Sequence, residues 1–284
     1  EEYWTISADF KDKNNNVIRA SLSLLNDEKV EKFSFKDSDT TNIIANELEQ
    51  KEYHVTSVTS QKRNRNPYAP FTTSTLQQSA STNLKVSPRD VMSTAQKLYE
   101  AGLITYMRTD GIEMAPEGIT SARKQISKSL GDHYLPGKPR VFKNKAKNAQ
   151  EAHECIRPTD FSKTPENAKN LNKSELDLYA LIWKRALASQ AKAAEVLQTT
   201  VLISSLCDSA QFRLSGQVVT FEGHLKIFQD TKKEDDDKRI PDIRELSKMK
   251  LEKINKEQHF TEPPPRFNEA SLIKRLEEEG IGRP

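Results

Sequence analysis

Tyr99-Glu100-Ala101-Gly102-Leu103-Ile104-Thr105-Tyr106-Met107-Arg108-Thr109-Asp110-Gly111 joins two kinds of pattern. The residues before it predict a helix. Ser87, Pro88 and Asp90 supply an N-cap, a first-turn proline and an acid at the third position, and Val91, Ala95 and Leu98 share one face. Gly102 closes that helix, and no helical period follows it. In an extended chain, residues two apart point to the same side, so Tyr106 and Arg108 can share one ligand. Thr105, Tyr106 and Arg108 together suit a phosphate, with a hydroxyl nucleophile and a guanidinium to clamp the anion. A core tyrosine beside a surface arginine fits the same residues.

Working outward, more helices surround this stretch. Ser74 with Gln77 forms a capping-box pattern. Residues 117–130 form a helix closed by Gly131, and Ser174 and Asp177 open another whose buried stripe is Leu178, Leu181, Ile182 and Ala188. Beyond this block the period changes to two. Trp4, Ile6, Ala8 and Phe10 alternate with polar neighbours, as do Ile18, Ala20, Leu22 and Leu24, with Asn14-Asn15-Asn16 as the turn between them. A short helix at 40–50 and strands at 53–60, 199–206, 211–214 and 218–221 complete the flanks. The fold expected is α+β and multidomain: a discontinuous β-rich arch and hinge domain, 1–67 and 194–262, interrupted by a helical domain, 68–193, that carries Tyr106. Residues 231–239 read as a charge-rich loop. Residues 263–284, with Leu272, Ile273 and Leu276 on a helix, begin a further helical domain that stops early.

At 284 residues the chain has room for about two domains of ~150 residues each. A mean hydropathy of −0.76 with 30% charged residues gives a wet surface, yet 35% hydrophobic content is too high for general disorder. No run of eighteen apolar residues is present to span a membrane, and no signal-peptide pattern opens the chain. The start on Glu1 in a strand, without Met, predicts a piece of something longer. Cys155 and Cys207 lack metal-ligand spacing and fit a reducing cytoplasm. The net charge of +3 permits a nucleic-acid partner only if it is clustered. Two clusters exist: Lys62, Arg63 and Arg65, and then Lys138, Arg140, Lys143, Lys145 and Lys147. A solvated loop is the commoner reading of an isolated run of this kind.

Leu103-Ile104-Thr105-Tyr106-Met107-Arg108-Thr109-Asp110 resembles the active-site segment of the type IA DNA topoisomerases, and of bacterial topoisomerase I among them. So do three other stretches in order: 69–78 (Ala-Pro-Phe-Thr-Thr-Ser-Thr-Leu-Gln-Gln), 150–159 (Gln-Glu-Ala-His-Glu-Cys-Ile-Arg-Pro-Thr), and the pair 264–273 and 280–284. The resemblance implies that Tyr106 attacks a DNA phosphodiester and holds the broken strand as a 5′-phosphotyrosine. It implies that Arg108 positions the scissile phosphate and that His153 contacts the backbone beside it. Thr105, Asp110, Arg157, Gln77 and Arg283 fall in the same motifs as DNA- or phosphate-binding residues, with Arg283 approaching from a neighbouring domain. Where the family has Ser or a similar small residue this chain has Gly111, and where Ala is common it has Cys155.

A free tyrosine titrates near ~10, so a neighbouring cation or base must favour its phenolate. Transesterification conserves the phosphodiester, so no ATP is required, and no phosphate-cradling Gly-rich loop is found. The family places its Mg²⁺ on an acidic cluster in an N-terminal Toprim domain. No Asp-x-Asp-x-Glu pattern occurs in this sequence, so the expectation is that this domain is absent and that the chain alone is inactive. DNA, chiefly single-stranded, is the expected partner of a cytoplasmic, nucleoid-associated monomer. The rival readings are a non-catalytic single-strand-binding clamp and a topoisomerase III fragment. A zinc site at His153 and Cys155 lacks a second ligand pair, and the His-x-Glu of a zinc deaminase is absent.

Overall fold

The computed structural model describes all residues except 13–14, 144–152, 230–236, 239, 242 and 282–284, and for 237–238 it describes the backbone alone. The chain divides into two compact units, one of Glu1–Arg63, Val196–Val219 and Lys233–Pro265, the other of Asn64–Glu195, Thr220–Lys232 and Arg266–Pro284.

The first unit is built on antiparallel strands: β1 (Glu2–Lys11), β2 (Val17–Leu25), β3 (Glu28–Lys29), β4 (Tyr53–Arg65), β5 (Ala194–Ser205), β6 (Ala210–Phe221), β7 (Asp237–Lys238) and β8 (Lys248–Phe260). Their order is β3-β2-β1-β8-β4-β5-β6-β7, and β2 also pairs with β6, so the ladder returns on itself. The alternation read in β1 and β2 is realised as buried Ile6, Ala8 and Phe10 opposite buried Ile18, Ala20 and Leu22. Phe10, Tyr53 and Phe212 meet edge to face with centroids 5.2, 5.4 and 5.6 Å apart, which fixes the centre of this core. Helix α1 (Ser38–Glu49), capped by Asp37, buries Ala45 and Leu48 in the same core. β8 was not foreseen as a strand, yet it pairs with β1 from Glu2↔Phe260 to Lys11↔Lys250. Its lysines and glutamates face outward, and Met249 and Ile254 are its buried anchors.

The second unit holds α2 (Thr73–Asn83), α3 (Pro88–Glu100), α4 (Pro116–Leu130), α5 (Lys173–Ser189) and α6 (Glu269–Glu278). Ser87 caps α3 by accepting from the Asp90 amide, and Gly102 takes φ +67 just past its end, as the sequence predicts. The capping box of α2 is made by Thr72 and Thr75, not by Ser74 and Gln77, because the turn starts two residues earlier. Val91, Ala95, Leu98, Leu178, Tyr179 and Ile182 form the shared core of α3 and α5.

The boundaries differ from the sequence reading in two places. Thr220–Lys232 groups with the helical unit, and so does Arg266–Pro284, which was expected to open a separate domain. The physical reason is local to α6: Glu277 accepts hydrogen bonds from Ser74 Oγ at 2.7 Å and Gln78 Nε2 at 3.3 Å, both on α2. The charge-rich stretch 231–239 lies outside the described residues apart from the backbone of 237–238.

Candidate active site

Residues 103–113 run between two other segments and are tied to both. On one side, Thr73 donates its amide to Thr109 O at 2.9 Å, and its hydroxyl donates to Met107 O at 2.7 Å while accepting from the Thr109 amide at 2.8 Å. On the other, Thr105 N–H donates to Arg157 O at 2.9 Å, Thr159 N–H to Leu103 O at 3.0 Å, and Cys155 N–H to Glu113 O at 2.8 Å. The two outer segments meet as well, through Ile156 N–H to Phe71 O at 2.8 Å. Three stretches distant in sequence are thus one interlocked backbone.

That clamp imposes a strict alternation. Met107, Thr109 and Gly111 are buried, and Tyr106, Arg108 and Asp110 are exposed between them. Tyr106 keeps 51% of its surface, a large value for a tyrosine anchored on both flanks. Its ring meets Tyr99 edge-on, centroids 5.4 Å apart and planes at 66°. His153 joins the same face: its Nδ1 lies 3.4 Å from Asp110 Oδ1, and both side chains are more than half exposed, at 57% and 61%. A phenol, a guanidinium and a paired carboxylate and imidazole are therefore all exposed along this segment.

The other expected residues are placed differently. The hydroxyl of Thr105 is used internally, donating to Cys155 O at 2.8 Å and accepting from the Arg157 amide at 3.0 Å. Thr105 thereby ties the residue before Tyr106 to the 155–157 segment. Arg157, expected to bind phosphate, is buried at 5% exposure. Its Nε donates to Glu154 Oε1 at 2.6 Å, its Nη1 to Pro158 O at 3.0 Å, and its Nη2 lies 3.6 Å from Glu117. It crosses α4 at Gly118, where a Cβ would approach Nε to 2.6 Å. Its guanidinium is thus bonded within the protein to Glu154 and Pro158 and lies near Glu117. Gln77 is half-buried on α2. Arg283 lies outside the described residues, as do Lys145 and Lys147.

Two residues were missed. Glu154 accepts from Arg157 and also from the amide of Ala115, the N-cap residue of α4, at 2.8 Å. A carboxylate there also meets the positive end of the helix dipole. Thr73 cross-links the tyrosine segment, and its signal was the unbroken Thr72-Thr73 pair at a helix start. Burial chiefly, with Glu154 beside it, pushes the Cys155 thiol up to about 12, so this cysteine behaves as core. Among the described residues no three His, Cys, Asp or Glu side chains are placed to hold a metal ion.

An exposed tyrosine on a clamped segment of the helical unit, with an arginine two residues on and an Asp110–His153 pair four residues on, is the feature that the sequence reading singled out. The chain belongs to the DNA topoisomerase family, whose sequence pattern it matches over residues 1–284. It is 42% identical to DNA topoisomerase 1 of Rickettsia felis, covering all of this chain and 38% of that protein. Against DNA topoisomerase 1 of Zymomonas mobilis it is also 42% identical, over 24% of that protein's length. The full-length topoisomerase I of Thermotoga maritima shares its fold with a TM-score of 0.77 at 31% identity, over all of this chain and 45% of that one. The chain therefore spans less than half the length of these relatives. No helix among the described residues is long and apolar enough to cross a membrane.

Proposed function

We propose that the chain is the tyrosine-bearing part of a type IA DNA topoisomerase, acting on DNA that is locally single-stranded. Tyr106 Oη attacks a backbone phosphorus, its proton leaves, the bond from phosphorus to the deoxyribose oxygen breaks, and a 5′-phosphotyrosine holds the strand. The released 3′-hydroxyl reverses the step after strand passage. One phosphodiester replaces another, so no ATP enters. Arg108 partners the non-bridging oxygens as charge gathers on them, and Asp110 orients His153 toward the adjoining backbone. The carrying observation is the alternation that exposes Tyr106, Arg108 and Asp110 on a segment fixed from both sides.

The family's Mg²⁺ finds no ligand set among the described residues, so no step on this chain is assigned to it. The β-rich unit serves as arch and hinge, and movement concentrates where the chain passes between units, near 63–64, 195–196 and 219–220. The isolated chain does not relax supercoils. The test is relaxation by the full-length parent: Tyr106→Phe removes activity, and Arg108→Ala lowers it ~10²–10³-fold, the usual loss for a transition-state donor. Relaxation by the Tyr106→Phe parent overturns this reading.

A further inference from the structure

The Tyr106 ring has one aromatic neighbour among the described residues, Tyr99. The two centroids lie 5.4 Å apart with the planes at 66°, the edge-to-face arrangement that aromatic quadrupoles favour.

Backbone fixes both partners. Tyr99 occupies the last turn of α3, whose other face packs Val91, Ala95 and Leu98 into the core. Its carbonyl accepts from the Gly102 amide at 2.8 Å, and the Leu98 carbonyl accepts from the Leu103 amide at 2.9 Å. These two bonds, with Gly102 at φ +67, turn the chain out of the helix. Ile104 is then buried and Thr105 is bonded to residues 155–157, so Tyr106 emerges beside the end of α3.

Tyr99 stands apart from the core of its unit. It keeps 40% of its surface, while its neighbour Leu98, at 1%, supplies the buried contact of that turn. Its ring is spent on Tyr106. An exposed tyrosine left alone samples several staggered χ1 wells, and each well carries the hydroxyl to a different place. A second ring against the phenol biases that choice before a substrate binds. Transfer is fast only when the reacting atoms are already close and aligned, so a bias in rotamer is read in the rate.

We propose that Tyr99 is a positioning residue for the cleavage step: its ring holds the Tyr106 phenol in the orientation from which Oη reaches the phosphorus. The assignment rests on Tyr106 as the nucleophile and adds a residue that touches neither the phosphate nor the leaving oxygen. Tyr99 transfers no atom, and its own hydroxyl is not required.

The test is single-turnover cleavage of a labelled single-stranded oligonucleotide by the full-length parent, beside Tyr99→Phe and Tyr99→Leu. The rate at saturating DNA is measured separately from the Kd of each variant. Tyr99→Phe keeps the ring and should cleave within ~2-fold of the parent. Tyr99→Leu keeps apolar bulk and the helix but loses the ring. It should cleave ~3–10-fold more slowly, the rate equivalent of a lost edge-to-face pair. Its Kd should stay within ~2-fold of the parent, because the effect lies on the bound complex. Thermal melting checks that each variant folds, and Tyr99→Gln, suited to an exposed helix position, carries the test if Tyr99→Leu does not fold. Parent-like cleavage without the ring overturns the proposal. So does a loss carried by Kd alone, which would make Tyr99 a stacking surface for a base. A Tyr99→Phe as slow as Tyr99→Leu overturns it too, by placing the effect in the hydroxyl. Failure of the unaltered parent to cleave sinks the Tyr106 reading itself and this proposal with it.

Discussion

Gly111 lies directly beneath the backbone of His153: a Cβ at position 111 would fall 1.7 Å from the His153 carbonyl oxygen and 2.4 Å from its carbonyl carbon. Contact with backbone cannot be relieved by a rotamer change, so only the absence of a side chain lets the two segments close. Gly111→Ala should therefore push residues 153–154 away from the tyrosine segment. It should cost about 1–3 kcal/mol, the usual range for overpacking, read as a fall in melting temperature. In the full-length parent it should lower cleavage more than Gly118→Ala does at matched stability. Gly118 abuts Arg157 and not the exposed face.

Arg157 and Arg108 should separate cleanly by experiment. Removing Arg157 leaves the part-buried Glu154 and the Pro158 carbonyl without their donor, a loss of about 1–3 kcal/mol. Arg157→Ala should thus lower thermal stability sharply. Arg108→Ala, at an exposed position, should leave melting within about 0.5 kcal/mol of the parent while weakening oligonucleotide binding. Equal melting temperatures for the two variants would show that Arg157 is not structural.

The protein should lose stability in mild acid through His224. Its folded pKa is lowered to about 4, below the usual histidine value of 6.5, so the unfolded chain binds the proton first. Stability is then fully present above the unfolded pKa and drains as pH falls from ~6.5 to ~4, by on the order of 3 kcal/mol. Urea melts across that window should show the slope, and His224→Gln should flatten it. A slope unchanged in His224→Gln would assign the acid sensitivity elsewhere.

The two thiols should differ strongly in reactivity. Hydrogen bonds with Ser209, at 3.1 Å, and then Ser205, with the charge of Lys51 nearby, hold exposed Cys207 down to about 6. Iodoacetamide at pH 7 should label Cys207 alone, with a rate that rises through pH 6, because the thiolate is the nucleophile. Buried Cys155 should react only after unfolding. Labelling of Cys155 in the folded chain would contradict the packing around Glu113 and Glu154.

Much of this was legible in the sequence, for a physical reason that also marks where it fails. Periodicity reports burial, so Ile6, Ala8 and Phe10, and Val91, Ala95 and Leu98, declared strand and helix at once. β8 hid because its lysines and glutamates face outward and only Met249 and Ile254 mark its inner side. The exposed face of Tyr106, Arg108 and Asp110 followed from two-residue alternation. The burial of Arg157 and the internal hydrogen bonds of Thr105 were not legible, because a guanidinium or hydroxyl in a motif does not reveal whether it faces solvent. Their partners, Glu154, Glu117 and the Cys155 carbonyl, are brought to them only by the fold.

The most direct test of the account is to trap the covalent complex. The full-length parent is incubated with labelled single-stranded DNA, denatured and digested, and the labelled peptide is sequenced by mass spectrometry. The account predicts one modified peptide, carrying the 5′-phosphoryl DNA end on Tyr106, and none from Tyr106→Phe. DNA attached to any other residue, or cleavage that persists in Tyr106→Phe, would contradict it.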